Sequence, residues 1–316
     1  MRVLVTGASG FVGRSLCARL MADGHGVIAA VRRPGTAPVQ TTESVVGDLA
    51  GPVDWTGPMT GVDAVVHLAA RVHVMRESAA DPDAAFAAVN VAATGRLADA
   101  ARAAGVRRFL FLSSVKALGE ATEGRPFRDD DPAAPLDAYG RSKRDGEDLL
   151  AAFDGIEVVI LRPPLVYGAG ATGNLRTLAR LVRRGVPLPV AGIRNRRSLI
   201  GAANLAGAIA FCLGRTDAVG HRLVVADTHL STEALARALA AADGRSARLL
   251  PVPRFLFGPL RRLGAGGLID RLAGSLEVDP AGLLAMGWRP EVPPAQEFAA
   301  LMAALDRPPV VGSLHP

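Results

Sequence analysis

The sequence predicts an α/β protein: a doubly wound parallel sheet followed by a smaller, mixed and helix-rich C-terminal lobe. Three observations carry this. Short apolar runs alternate with helix-period segments from Arg2 to about Leu161, as buried parallel strands joined by helices do. A turn containing Gly7, Gly10 and Gly13 lies between the first apolar run and the first helical segment. The alternation weakens after about Pro163, where Pro and Gly become frequent. Right-handed crossovers between parallel strands place helices on both faces of the sheet. Residues 1–165 are therefore expected to form the sheet domain, with about 198–230 returning to it, and 166–316 the lobe. A chain of 316 residues, 49% of them hydrophobic, has the length and apolar content for that core.

The elements follow in order. RVLVT reads as a strand, Phe11 to Ala22 as a helix and Val27 to Val31 as a second strand. Ser44 to Val46 and Asp63 to Leu68 are the next apolar runs. An Ala-rich helix is expected from Pro82 to Ala104, a strand from Arg108 to Leu112, and a helix from Leu136 to Ala152. Glu157 to Leu161 is a further strand. Beyond it, Ala171 to Gly185 and Ala202 to Leu213 read as helices, Pro187 to Val190 as extended, and Arg222 to Ala226 as a strand returning to the sheet. From Ser231 the chain is helix-rich, the basic segment RFLFGPLRRLGAGG reads as a lobe helix, and the tail DRPPVVGSLHP is expected to be loose.

Composition narrows the function. The net charge is +6, but the arginines fall in scattered pairs rather than one stripe, and only 4% of residues are aromatic. Stacking platforms for single strands are thus scarce, and no nucleic-acid partner is expected. No window has the length and purity of a membrane span, so stable membrane insertion is not expected. Met1 leads straight into RVLVTG without a leader pattern, and Cys17 and Cys212 read as reduced core thiols. A cytoplasmic protein is expected. The six histidines and two cysteines form no local cluster, so no metal site is expected.

The chemistry concentrates in a few motifs. In the turn Thr6 to Gly13, Gly7 permits the tight bend, Gly10 lets backbone approach a pyrophosphate, and Gly13 lets helix pack on strand. The helix that follows offers N–H donors and a partial positive charge. Dinucleotide binding is the expectation. The second strand ends in Arg32 and Arg33, where NAD sites usually carry an acid. An arginine fork suits a 2′-phosphate, so NADP(H) is favoured over NAD(H). Asp48, before Leu49, could accept the adenine amino group or stabilise its own turn. Leu68, Ala69 and Ala70 end the fourth strand with residues small enough for close cofactor approach. Tyr139 and Lys143 stand four apart, one of two tyrosines and one of two lysines in the chain. On a helix they share a face, and a cation there lowers a phenol's pKa toward the working range.

These motifs, with HLAA, the paired serines, Leu161-Arg162-Pro163 and Val166-Tyr167-Gly168, resemble the extended short-chain dehydrogenase/reductase family over essentially the whole chain. HLAARVHVM and NRRSLIGAANLA are similar to bacterial nucleotide-sugar epimerases and 4-ketoreductases of polysaccharide gene clusters. The resemblance implies a Rossmann domain with cofactor contacts at Gly7, Ser9, Gly10, Phe11, Val12, Gly13, Tyr139, Lys143 and Pro163. It implies Ser114 as hydrogen-bond partner of the substrate C4 oxygen, Tyr139 as proton donor and acceptor, and Lys143 on the nicotinamide ribose. Ser114, Lys116, Asn174 and Arg197 are the implied substrate contacts, with Arg197 on the nucleotide diphosphate. Arg176 is a further candidate there. Asn90 is either a relay or a packing residue. Where family dehydratases carry an Asp-Glu pair this chain has Val115 and Lys116, which argues against dehydration. Leu118-Gly119 replaces the family's next Tyr-Gly. The implied partner is a UDP-sugar, most in keeping with reduction of a UDP-4-keto-6-deoxy-N-acetylhexosamine. UDP-sugar 4-epimerisation is the alternative, and a non-catalytic NADP sensor the alternative of another class. A homodimer on the two long helices is implied by the same analogy.

Overall fold

The computed structural model describes residues 1–72, 81–251 and 273–306. Seven strands form one parallel sheet: β1 (Arg2–Thr6), β2 (Gly26–Val31), β3 (Thr42–Val45), β4 (Ala64–His67), β5 (Arg108–Leu112), β6 (Glu157–Arg162) and β10 (Arg222–Val224). Their order is β3-β2-β1-β4-β5-β6-β10. β1 takes β2 on one side and β4 on the other, with Thr6 beside Ala30 and His67. The crevice for a ligand therefore opens at the C-terminal ends of β1 and β4.

The two-residue period of each strand feeds two cores. Val3, Val5, Val66 and Leu110 pack with α1 (Phe11–Ala22) and α6 (Ala202–Leu213) through Leu16, Leu20, Leu205 and Ile209. Their neighbours Leu4, Val65, Phe109 and Phe111 face α3 (Ala93–Ala103) and α4 (Ala138–Ala151) through Leu97, Ala101 and Leu150. Burial on both faces is why β4 and β5 read as unbroken apolar runs. The edge strand β3 is largely exposed, and it starts two residues earlier than its apolar run, at Thr42.

The lobe has a three-stranded sheet of β7 (Leu165–Tyr167), β9 (Arg197–Gly201) and β11 (Thr228–Leu230), and a pair of β8 (Leu188–Ala191) with β12 (Leu249–Pro251). Its core joins Leu175 and Ala179 of α5 (Gly173–Arg183), Leu235 and Leu239 of α7 (Thr232–Ala242), and Phe298 and Leu301 of α9 (Pro294–Ala303). A short helix α8 (Ala281–Ala285) precedes α9. The basic segment RFLFGPLRRLGAGG lies outside the described residues. No described helix is long and apolar enough to cross a membrane.

The expected single helix from Pro82 to Ala104 is not uniform. It begins as α2 (Pro82–Ala87), passes through a π-helical stretch at Ala88–Ala92, and continues as α3. α4 is shorter than Leu136–Ala152 because Asp137 caps it, accepting the Gly140 N–H.

Candidate active site

The glycine turn sits at the switch point. Gly7 has φ +68°, and a Cβ there would stand 2.8 Å from the Ala69 nitrogen. The turn and the Leu68–Ala70 segment are thus pressed together by the absence of side-chain bulk. A Cβ on Gly13 would overlap the Gly7 carbonyl and Ala8, so helix α1 meets β1 closely only with glycine there. The N-terminus of α1 has no side-chain cap and no acid in its first turn. α4 and α7, by contrast, are capped by Asp137 and Ser231. The free donors of the Phe11-Val12-Gly13 turn fit a pyrophosphate. The cofactor this implies would be held by that turn, with Leu68, Ala69 and Ala70, all half-buried, alongside.

Arg32 follows β2 directly and is half-buried, and Arg33 is exposed. Neither guanidinium has a hydrogen-bond or ion-pair partner among the described residues. The loop after them is ordered from two sides. Glu43 accepts N–H groups from Gly35 and Ala37, both at 3.1 Å. Arg14 reaches from α1 to the Ser9 and Thr36 carbonyls at 3.1 and 3.4 Å. Asp48 turns its carboxylate to the Ala50 N–H at 2.9 Å, so it stabilises its own turn. Arg96 holds the Leu49 carbonyl at 2.8 Å.

Ser114, Tyr139 and Lys143 converge beside the end of β5. The Ser114 side chain lies close enough to the Tyr139 phenol to lower its pKa. Ser113 points the other way and donates to Glu147 at 2.5 Å, which leaves Ser114 as the serine facing the phenol. Lys143 is 2% exposed. Its Nζ donates to the Leu112 carbonyl at 2.8 Å and lies 4.7 Å from the Phe111 ring centroid. Burial pushes Lys143 down to about 7, although the Glu147 charge opposes this. Burial likewise pushes Tyr139 up to about 12, against the lowering effect of Ser114. The expectation that Lys143 lowers the phenol pKa is therefore not met in the chain by itself. The ammonium is aimed at Leu112 and sits 6.0 Å from the Tyr139 ring centroid, and desolvation of the phenol outweighs it. Pro163 is buried behind Ser114, its carbonyl accepting the Val115 N–H at 3.0 Å.

A buried polar chain supports these groups. Asn90 Nδ2 donates to Ser142 Oγ at 2.9 Å and to the Arg71 carbonyl at 2.9 Å, and its Oδ1 accepts the Arg71 N–H at 2.8 Å. Thr94 donates to the Asn90 carbonyl at 2.9 Å, so it accepts from His67 Nε2 at 3.0 Å. The bare Nδ1 of His67 then accepts from Thr6 at 2.7 Å. This neutral tautomer agrees with burial pushing His67 down to about 3. The glycine-turn strand, the Leu68–Val72 segment and the Tyr139 helix are thereby joined.

The substrate candidates are less concentrated. Asn174 is exposed at the start of α5. Arg197 opens β9 and donates to the Gly274 carbonyl at 3.1 Å, with burial pushing its pKa down. Arg176 is buried and donates to the Leu305 carbonyl at 2.8 Å. Lys116 pairs with Asp137 at 2.6 Å and with Glu120 at 3.2 Å. Sequence reasoning missed Asp137, Thr94 and Arg14. Of these only Asp137 had a signal, an Asp at the start of the Tyr139 helix where an N-cap belongs. Among the described residues no His, Cys, Asp and Glu cluster could hold a metal ion.

Residues 3–226 match the family model described as the NAD dependent epimerase/dehydratase family. The chain is 39% identical over 298 residues to a UDP-glucose 4-epimerase of Vibrio cholerae, covering 91% of this chain and 90% of that one. A UDP-glucose 4-epimerase of Thermus thermophilus, solved with NAD, superposes with TM-score 0.74 at 26% identity, covering 96% of this chain and 99% of that one. A UDP-glucuronic acid 4-epimerase of Bacillus cereus, also with NAD, gives TM-score 0.77 at 19% identity over 96% of this chain and 98% of the other, a likeness of fold. With the glycine turn at the switch point and Ser114, Tyr139 and Lys143 beside it, the chain is an enzyme of the NAD dependent epimerase/dehydratase family.

Proposed function

We propose that this enzyme carries out oxidoreduction at C4 of a UDP-sugar, with reduction of a UDP-4-keto-6-deoxy-N-acetylhexosamine by NADPH as its reaction in surface-polysaccharide synthesis. The observation that carries the reductase reading is the end of β2. Arg32 and Arg33 stand there with no acid and no partner among the described residues. Two unpaired guanidiniums suit a 2′-phosphate, and a diphosphopyridine nucleotide lacking it leaves them idle. The nicotinamide, when bound, supplies the hydride at C4. Tyr139 passes its phenol proton to the C4 oxygen as that oxygen gains charge. Ser114, whose side chain lies near the phenol, holds the same oxygen through its hydroxyl. Lys143, poised near neutrality by burial, retains a proton more readily once a phenolate or ribose oxygen lies beside it.

The second reading is UDP-sugar 4-epimerisation. It is favoured by the Vibrio cholerae relative, a UDP-glucose 4-epimerase matched over 90% of its length. Both readings use the same three side chains and differ in whether the cofactor stays. The experiment is to measure NADPH and NADH affinities of wild type and of the Arg32→Ala/Arg33→Ala variant, and to identify any nucleotide retained on purification. Charge-assisted bonds contribute about 1.5–3 kcal/mol each, so the variant should lose roughly tenfold or more of its NADPH preference. Equal affinities in wild type, with retained NAD⁺, would favour the epimerase. Binding without turnover across nucleotide sugars would indicate a sensor.

A further inference from the structure

Lys116 stands two residues after Ser114, on the single helical turn Val115–Ala117. Its backbone N–H donates to Ser114 Oγ at 3.2 Å. Its ammonium contacts Asp137 Oδ2 at 2.6 Å. The other oxygen of that carboxylate accepts the Gly140 N–H at 2.6 Å and so caps α4. The main chains touch as well, because a Cβ on Gly140 would lie 2.5 Å from the Lys116 carbonyl. The turn that carries Ser114 and the helix end that carries Tyr139 are therefore clamped through one lysine and one aspartate. We propose that Lys116 is a positioning residue that acts on Tyr139 through Asp137, holding the carboxylate cap of α4 against the Ser114 turn and cancelling a negative charge two residues from the phenol.

The charges around Tyr139 are few. Asp137 and Lys143 share its helix, and Lys116 and Glu120 come from the Ser114 side. Arg71 lies over Phe86, whose ring meets Tyr139 edge-on. Arg141 is paired with Asp83 of α2. Farther along α4, Glu147 is taken up by Arg162. Among these, Asp137 is the carboxylate whose charge raises the Tyr139 pKa, after burial. Burial alone would raise the Asp137 pKa too, yet the Lys116 and Gly140 contacts more than offset it and hold the group ionised. Removing Lys116 leaves that charge facing the phenol, and removing the Asp137 charge relieves it.

The inference rests on Tyr139 being the acid–base group, and the test separates the two. The chain has two tyrosines, and burial with the neighbouring Asp227 holds Tyr167 far above the ordinary phenol range. Phenolate ultraviolet absorbance after a rapid pH jump therefore follows Tyr139 first, and Tyr139→Phe must abolish that phase. Asn caps a helix about as well as Asp, so Asp137→Asn removes charge while keeping the cap. It should lower the midpoint by roughly one unit, the scale of a nearby charge. Lys116→Met should raise it, Lys116→Arg should leave it in place, and Lys116→Met with Asp137→Asn should restore it. The kcat/KM profile of the enzyme with NADPH and a UDP-4-keto-6-deoxy-N-acetylhexosamine should show the same order. Midpoints that stay put, or move in one direction for both single variants, overturn the inference, as does a Lys116→Met variant that raises only KM. Turnover retained in Tyr139→Phe would instead overturn the acid–base reading itself.

Discussion

At the scale of single residues, Lys143 gives the clearest pH signature. Its ordinary value is 10.5 and the fold brings it down to about 7. Between these values the unfolded chain binds a proton that the folded chain does not. Stability of the cofactor-free protein therefore rises with pH across that window from this group, and the penalty is complete below about 7. Tyr139 acts in the opposite sense above pH 10. It keeps its proton to about 12 when folded and releases it at 10 when unfolded. The two groups together favour a stability maximum near the upper end of the Lys143 window. Lys143→Met removes the titrating amine and keeps an apolar stem of similar length. Urea unfolding at a series of pH values from 7 to 10 should show a positive slope in wild type that flattens in the variant. Parallel slopes would mean that Lys143 is charged in the folded chain across this range.

At the scale of elements, the α2–π–α3 run shows what a local irregularity accomplishes. A π turn at a functional site inserts one residue into the helix and re-aims its neighbours. Here it contains Asn90, 1% exposed, which holds both Arg71 backbone groups and Ser142. Asn90→Ala should leave those buried groups unsatisfied, a loss of about 1–3 kcal/mol. Cofactor affinity should fall with it, because the Leu68–Val72 segment loses its tie to α4. Equilibrium unfolding and cofactor titration check both effects. The π turn had no sequence signal, since an Ala-rich run is compatible with either helical register. Elsewhere the patterns were legible where burial was extensive. Arg2–Thr6, Phe11–Ala22, Arg108–Leu112 and Ala202–Leu213 appear with the bounds their apolar patterns indicate. The exposed edge strand β3 shifted because hydrogen bonding to β2, rather than burial, sets its ends. The glycine turn was legible because each glycine answers a local steric demand. The Lys116–Asp137 contact and the direction of the Lys143 ammonium depend on how two distant segments meet, and no local pattern encodes that.

At the scale of the whole molecule, one buried ion pair ties the helix layer to the sheet. Glu147 of α4 is fully buried, and Arg162 at the end of β6 is 2% exposed. Arg162 binds both carboxylate oxygens, with Nε at 3.0 Å and Nη2 at 2.7 Å, and its Nη1 donates to the Asp129 carbonyl at 2.9 Å. Ser113 from the end of β5 donates to the same carboxylate. Arg222 of β10 approaches it at 3.4 Å. The pair thus joins α4, β5, β6, β10 and the Asp129 segment one turn below Lys143. A buried pair of this kind adds little net stability over an apolar pair of the same volume, yet breaking it leaves an uncompensated charge. Arg162→Met alone should therefore destabilise the fold by about 3–5 kcal/mol. Arg162→Met combined with Glu147→Leu removes the uncompensated charge and should recover part of that loss, with the Ser113 hydroxyl, newly unpaired, holding back about 1–3 kcal/mol. The double variant also tests the link to the active site. The Glu147 charge is what opposes the fall of the Lys143 pKa. Without it Lys143 should titrate below 7, and the pH window over which stability rises should open at a lower pH than in wild type. Urea unfolding of wild type and both variants over a pH series measures the two effects at once. A double variant as unstable as Arg162→Met would show that the hydrogen bonds around the pair, rather than its charges, hold α4 on the sheet.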